Sequence, residues 1–366
     1  MEENLMYLNK QILTYIGNKR LLLPYIEKEI LKIQSELKKD KTVNADFFSG
    51  SGIVARMLKQ HSSKLYVNDL EQYSYIINEC YLTNKSTFNE EKYNHYFNII
   101  NKKLINKEYI EGIITKNYAP KGEKISEEDR VFYTRENAMI IDTIRNEIDS
   151  VEEEMKPFFL APLLNMASVH VNTAGIFKGF YKDSGTKIGK FGGTNENALS
   201  RIIKKIELVK PVFSNFECDV KISCLDAIES AKQLKGLDIA YLDPPYNQHP
   251  YGSNYFMLNV ICNNEINAKM SKVSGIPNDW NRSSYNKKHE ISNELEELIR
   301  NIDSKYLILS YNSDGFLSLN DIKAILNKYG ELRVKKIKYN TYKGSRNLNK
   351  RKKYVQEYLF VLKKDK

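Results

Sequence analysis

Residues 237–246 read LDIAYLDPPY. Leu237, Ile239, Ala240, Tyr241 and Leu242 form an apolar run interrupted only by Asp238, as expected of a strand in a parallel sheet covered on both faces. Pro244 and Pro245 carry no N–H and cannot extend a ladder, so the strand must stop at Asp243. Each proline also holds the residue before it extended, which sets the direction of Asp243 and Pro244. The result is a stiff turn presenting a carboxylate, backbone carbonyls and the Tyr246 ring. Ligands of open α/β sheets bind at that carboxyl end. A plain β-turn can contain the same residues, so the meaning of this one depends on what precedes it.

Upstream, residues 43–52 read VNADFFSGSG and lead into Ile53, Val54, Ala55, Met57 and Leu58. That order is a strand, a glycine turn and a helix, the opening of a βαβ unit. Glycines let the backbone approach a nucleoside-like ligand, although neither a GxGxxG dinucleotide motif nor a P-loop lysine is present. A second strand over residues 64–68 ends in Asp69, at the tip of the neighbouring strand. A carboxylate there can accept from ribose hydroxyls or cap the helix predicted over Gln72–Tyr81. Before both strands, LTYIGNKR (residues 13–20) precedes an amphipathic helix with Leu22, Ile26, Ile30, Ile33 and Leu37 on one face. Lys19 and Arg20 near its start oppose the helix dipole, so they are expected to face an anion.

The α/β pattern lapses over residues 85–216, an insertion of domain size with helices expected at Thr134–Ile148 and Pro157–Val171. Within it, residues 178–195 (KGFYKDSGTKIGKFGGTN) lack periodicity and are expected to form a mobile basic loop. The pattern resumes with a strand that starts at Asp219 and ends in Leu225-Asp226, another at Tyr306–Ser310 and a helix at Ser318–Tyr329. Two final strands, Glu331–Tyr342 and Lys353–Leu362, are expected to form an antiparallel hairpin on the sheet edge.

The chain of 366 residues carries 56 Lys and Arg against 46 Asp and Glu, a formal net charge of +10. Residues 333–353 (RVKKIKYNTYKGSRNLNKRKK) contain ten basic residues and no acid, so this segment alone equals the excess. Charge concentrated in this way suits a polyanion. No apolar run reaches the roughly 18 residues of a membrane span, and the N-terminus lacks the pattern of a secretory signal. The cysteines (Cys80, Cys218, Cys224, Cys262) form no CxxC pair, and neither they nor the five histidines outline a metal site. A reducing cytoplasm fits that usage.

Together these motifs resemble the Dam-like DNA adenine-N6 methyltransferases, restriction-modification members included, in which FxGxG precedes DPPY and a recognition domain lies between. The matching residues are YIGNK (15–19), DFFSGSG (46–52), Asp69, DPPYN (243–247), SYN (310–312), FYTRENAMIIDTIRNEI (132–148) and HVNTAGIFKGFYK (170–182). Phe47, where the family usually has proline, and Tyr15, where Dam-type enzymes carry tryptophan, depart from it. The resemblance implies a Rossmann-like methyltransferase fold, mostly parallel with an antiparallel C-terminal hairpin. Residues 1–84 and 217–366 would form the catalytic domain, and 85–216 an inserted, mainly helical target recognition domain.

It further implies S-adenosyl-L-methionine as cofactor, contacted by Tyr15, Lys19, the Phe48–Gly52 loop with Gly50, Asp69 and Asp243. Asp46 would lie near the methionine end and Asp226 beside the adenine amine. Asp243, Pro244, Pro245 and Tyr246 would be catalytic. Asp243 and the Pro244 carbonyl would hold the target amine, Tyr246 would stack on the flipped base, and Tyr251 and Tyr255 could close over the pocket. Lys343, Arg346, Lys350, Arg351, Lys352 and Lys353 are the expected nucleic-acid contacts. The implied partners are double-stranded DNA and a cognate restriction endonuclease, with no membrane and no metal. A cytosine-N4 methyltransferase uses a similar turn, more often with Ser in place of Asp243. A non-catalytic DNA-binding module that kept the fold is the alternative of another class.

Overall fold

The computed structural model describes residues 2–340 and 354–365. Seven strands make one sheet: β1 (Thr42–Asp46), β2 (Ser62–Asn68), β3 (Asp219–Ser223), β4 (Leu237–Leu242), β5 (Ser304–Asn312), β6 (Gly330–Asn340) and β7 (Tyr354–Lys364). Their order is β3-β2-β1-β4-β5-β7-β6. The first five are parallel, and β7 pairs antiparallel with both β5 and β6. The chain therefore builds outward from β1 to β3, then returns to lay β4 on the other side of β1. That reversal is the topological switch point, where a crevice opens at the strands' carboxyl ends.

Every residue of β4 is buried, as the apolar run requires. One face of the sheet packs on helices Ala227–Gln233, Ile291–Asn301 and Leu319–Leu326. The other packs on Leu23–Leu37 and Ile53–His61, where the predicted stripe Leu22, Ile26, Ile30 and Ile33 is fully buried. A third core joins the helices of residues 85–216 to Gln72–Leu82 and Phe256–Asn263. The helical lobe thus shares its hydrophobic interior with elements beside the sheet. Among the described residues, no helix is long and apolar enough to cross a membrane.

Helices Arg135–Asp149 and Lys156–Val169 match the expected ones within two residues, and Leu319–Leu326 starts at a reciprocal capping box between Ser318 and Asp321. One boundary needs correction. The strand at Asp219 pairs only as far as Ser223, because Asp226 accepts from the Ile228 N–H at 2.8 Å and starts a helix. Residues 178–195 are irregular over most of their length, with one antiparallel bridge between Lys182 and Gly189. The Asn172 side chain donates to the carbonyls of Val131 and Lys190 at 2.8 and 3.0 Å, and accepts from Gly192 at 3.3 Å.

Asp238, the one polar residue in the apolar run, is 1% exposed and sits between Lys39 and Lys305, at 2.7 and 2.9 Å. It also accepts from the Val43 N–H at 3.0 Å, tying the start of β4 to β1. Both lysines are largely exposed and would recover water if Asp238 were removed, whereas the Val43 N–H would be left unpaired. We therefore expect Asp238→Ala to cost about 1–3 kcal/mol, and Asp238→Asn, which keeps an acceptor, distinctly less. Denaturant unfolding of both variants checks this, and equal losses would shift the credit to the lysine pairs.

Candidate active site

The carboxyl edge of the sheet brings together residues separated by more than two hundred positions. Asp46 ends β1, Asp69 follows β2, Asp226 follows β3 and Asp243 follows β4. All four line one cleft of about 880 Å³ that opens to solvent. Lys19, Tyr15, Phe48 and Gly50 line it too, as does Pro245. Pro244 is buried beside it, and Gly52 starts the helix Ile53–His61 at the floor of the loop.

The glycine loop is shaped by what it must pass. Gly50 has φ +51°, and a Cβ there would lie 2.8 Å from the Tyr15 ring. Gly52 has φ +73°, and its Cβ would meet the Asn78 side chain at 2.5 Å. No other residue type fits either position without displacing a neighbour. Asp69 buttresses the loop, accepting from the Gly50 N–H at 2.7 Å and the Glu71 N–H at 2.9 Å. It makes a local turn; Glu71, not Asp69, occupies the N-cap position of the helix Gln72–Leu82, without a side-chain capping bond. Phe47 also earns its place beside Asp46. Its ring is buried under the sheet and its N–H donates to the Tyr241 carbonyl at 3.1 Å, a bond that proline could not make.

Tyr15, Tyr251 and Tyr255 form a three-ring cluster, with Tyr15 5.0 and 4.7 Å from the other two centroids and those two 6.0 Å apart, and Tyr15 shares a hydrogen bond with Tyr73 at 2.9 Å. Tyr251 lines the cleft. Tyr255 is 1% exposed and does not line the cleft, so it does not act as a lid. Tyr246 is half-buried, with Tyr311 at 5.7 Å and the Lys19 ammonium 5.9 Å from its ring centre.

The electrostatics centre on Lys19. Its ammonium is 2.9 Å from Asp243 Oδ1 and donates to the Gly17 carbonyl at 3.1 Å, with the residue only 3% exposed. The anion expected opposite this lysine is thus the chain's own carboxylate. Burial raises the Asp243 pKa to about 6, against the opposing pull of Lys19. Burial also raises Asp46, reinforced by the repulsion of Asp243. Asp46 Oδ2 is buried with no hydrogen-bond partner among the described residues.

Several lining residues left no trace in the sequence reading. Glu71, Asn281, Ser283, Tyr285 and Asn286 all border the cleft. Asn259 and Asn281 donate to Glu71 at 2.6 and 3.4 Å, and Asn286 donates to the Asn247 carbonyl at 2.7 Å, so residues 281–286 are tied across the opening. They lie in a polar stretch with no periodicity, and no local signal marks them. The expected nucleic-acid contacts Lys343, Arg346, Lys350, Arg351, Lys352 and Lys353 lie outside the described residues. Of the same basic segment, Arg333 and Lys335 pair with Glu36 and Glu29 of the helix Leu23–Leu37, at 2.5 and 3.7 Å.

The model of the D12 class N6 adenine-specific DNA methyltransferases matches residues 15–325, from the Tyr15 stack to the helix that covers the last parallel strand. The chain is 29% identical over 360 residues to the type II methyltransferase M.NlaIII of Neisseria lactamica, covering 96% of this chain and 99% of that protein. It is 30% identical over 355 residues to M.CviAII of Paramecium bursaria Chlorella virus 1, covering 95% and 97%. M.FokI of Planomicrobium okeanokoites is 28% identical over 96% of this chain, which matches only 52% of that longer protein. The adenine family thus matches through the glycine loop and the Asp-Pro-Pro-Tyr turn alike, leaving no support for the cytosine-N4 alternative, and the chain belongs to the D12 class N6 adenine-specific DNA methyltransferases.

Proposed function

We propose that the cleft binds S-adenosylmethionine and that Asp243 with the Pro244 carbonyl holds an adenine amine, flipped from duplex DNA, for direct methyl transfer. The observation that carries this is the half-buried Asp243, paired with the buried Lys19 at 2.9 Å, on the rim of a cleft built around two left-handed glycines. The cleft fits the cofactor. Asp46 offers a buried, unpartnered carboxylate oxygen for an ammonium group, and the glycine loop leaves backbone space that a Cβ would fill. Asp69 retains lone pairs for ribose hydroxyls beyond its two backbone bonds. Asp226 borders the cleft next to Leu225 and Ala227, suited to an exocyclic amine. S-adenosylmethionine, when bound, supplies a methyl group on a positively charged sulfur.

The adenine amine is a poor nucleophile because its lone pair is delocalised into the ring. Acceptors on both of its N–H groups draw those hydrogens out of conjugation and make the nitrogen more available. Asp243 also offsets the positive charge that develops on nitrogen. The prolines hold the acceptor pair in place, so orientation is established before the reaction. Tyr246 offers a ring on which the extruded base can stack, worth about 1–3 kcal/mol.

Residues 85–216 are proposed as the target recognition domain and the terminal basic hairpin as the grip on phosphates. The type II relatives favour a restriction-modification role with a cognate endonuclease, acting on DNA in the cytoplasm. The sharing of one core between residues 85–216 and the helices Gln72–Leu82 and Phe256–Asn263 supports recognition elements held rigidly against the cleft.

Asp243→Ala is expected to abolish methyl transfer while binding of S-adenosylmethionine remains measurable by calorimetry. Near-normal turnover would remove Asp243 from the reaction. In the unsubstituted protein the ionised carboxylate is the acceptor, and burial raises its pKa to about 6. The single-turnover rate should therefore fall as pH drops through that value, and a rate flat from pH 8 to pH 5 would contradict the assignment. For the hairpin, neutralising Lys350, Arg351, Lys352 and Lys353 should weaken binding to all duplexes and flatten its salt dependence. A changed target sequence would instead assign base reading to these residues.

A further inference from the structure

One buried acid beside the catalytic turn has no part in the reaction described so far. Glu357 lies on β7 directly opposite Asn312, the last residue of β5, and is 3% exposed. Asn312 donates to its Oε1 at 2.7 Å, while Oε2 is buried with no hydrogen-bond partner among the described residues. Such an orphaned carboxylate oxygen is a costly arrangement and calls for a reason.

The sheet's alternation indicates where the side chain points. Leu359 and Val361, of the same parity as Glu357, pack in the core that contains Leu22 and Leu23, the residues that follow Lys19 at two turns' remove or less. Glu357 therefore projects on the face from which Lys19 enters the catalytic edge. It acts electrostatically on Lys19, Asp243 and Tyr246 alike. The Lys19 ammonium is thus bonded to one carboxylate at 2.9 Å and acted on by a second, beyond ion-pair distance, that has an oxygen to spare.

That arrangement meets a difficulty in the proposed reaction. An ammonium bonded to Asp243 Oδ1 competes with the adenine amine for the same acceptor, and draws off negative charge that the reacting nitrogen needs. We propose that Glu357 is a positioning residue that takes Lys19 over from Asp243 when the target adenine enters, freeing Asp243 to accept the amine. Asn312 holds Oε1 and so keeps Oε2 turned toward the incoming ammonium. The move exchanges one ion pair for another, with no bond made or broken and no proton lost. It rests on the reading of Asp243 as the amine's acceptor.

The test uses the full chain, S-adenosylmethionine and unmethylated genomic duplex DNA under single-turnover conditions. Glu357→Gln should lower the transfer rate at least tenfold, while cofactor affinity stays within twofold and the melting temperature does not fall. Its acid limb should move to lower pH. Loss of the Glu357 charge favours the ionised form of Asp243, whose other charged or titratable neighbours are Lys19, Asp46, Tyr241, Tyr246 and Tyr251. In a Lys19→Gln background, Glu357→Gln should have no further effect, since there is no ammonium to move. An unchanged rate, an unmoved acid limb, or equal losses in both backgrounds with a lowered melting temperature would overturn the proposal. If Lys19→Gln is too slow to measure, the acid limb decides alone. Turnover surviving in Asp243→Ala would instead remove the reading on which this one rests.

Discussion

A carboxylate partly withdrawn from water at the end of a strand must stay charged if it is to accept from an amine. At Asp243 burial works against that charge and Lys19 works for it, across 2.9 Å. Much of the molecule serves this balance. The two prolines after Asp243 remove its freedom to turn away. Lys19 is held in turn by the Gly17 carbonyl and by the helix Leu23–Leu37, whose buried stripe anchors the amino-terminal segment against the sheet. A segment outside the sheet is thereby made part of the catalytic edge.

The strand order supplies the rest. Because β1 and β4 are neighbours although separated in the chain by β2, the helical lobe and β3, Asp46 and Asp243 end side by side at the switch point. Their mutual repulsion raises Asp46 further above the usual carboxylate range than burial alone would. An isolated pair of buried acids would be a liability; beside Lys19 and a cleft suited to a cationic cofactor it is a prepared electrostatic environment. The terminal hairpin joins the same edge through Glu357, so the strand that leads from the basic segment also reaches the catalytic centre.

Most of the sheet was legible in the chain because the signals are local. An apolar run stopped by two prolines, a strand entering a glycine turn, and a stripe of leucine and isoleucine at helical spacing each need only a few adjacent residues to read. Asp46, Asp69 and Asp243 were legible for the same reason: each sits at the end of such a run. Lys19 was noticed as a misplaced cation, yet its partner lies 224 positions away and only the fold supplies it. Glu71, Asn281 and Asn286 escaped notice because their place depends on tertiary contacts among polar residues without periodicity. Glu357 was not singled out within the expected strand Lys353–Leu362; its significance comes from the register with Asn312, which a sequence does not display. The carboxyl end of β3 was misread because a single side chain, Asp226, overrides the local pattern.

The most direct measurement is to incubate the protein with unmethylated duplex DNA and S-adenosylmethionine labelled in the methyl group, then identify the labelled nucleoside by mass spectrometry. An acceptor pair made by Asp243 and Pro244 around a flipped adenine predicts that the label appears in N6-methyldeoxyadenosine. Label in N4-methyldeoxycytidine, or no transfer by folded protein that binds both substrates, would contradict it.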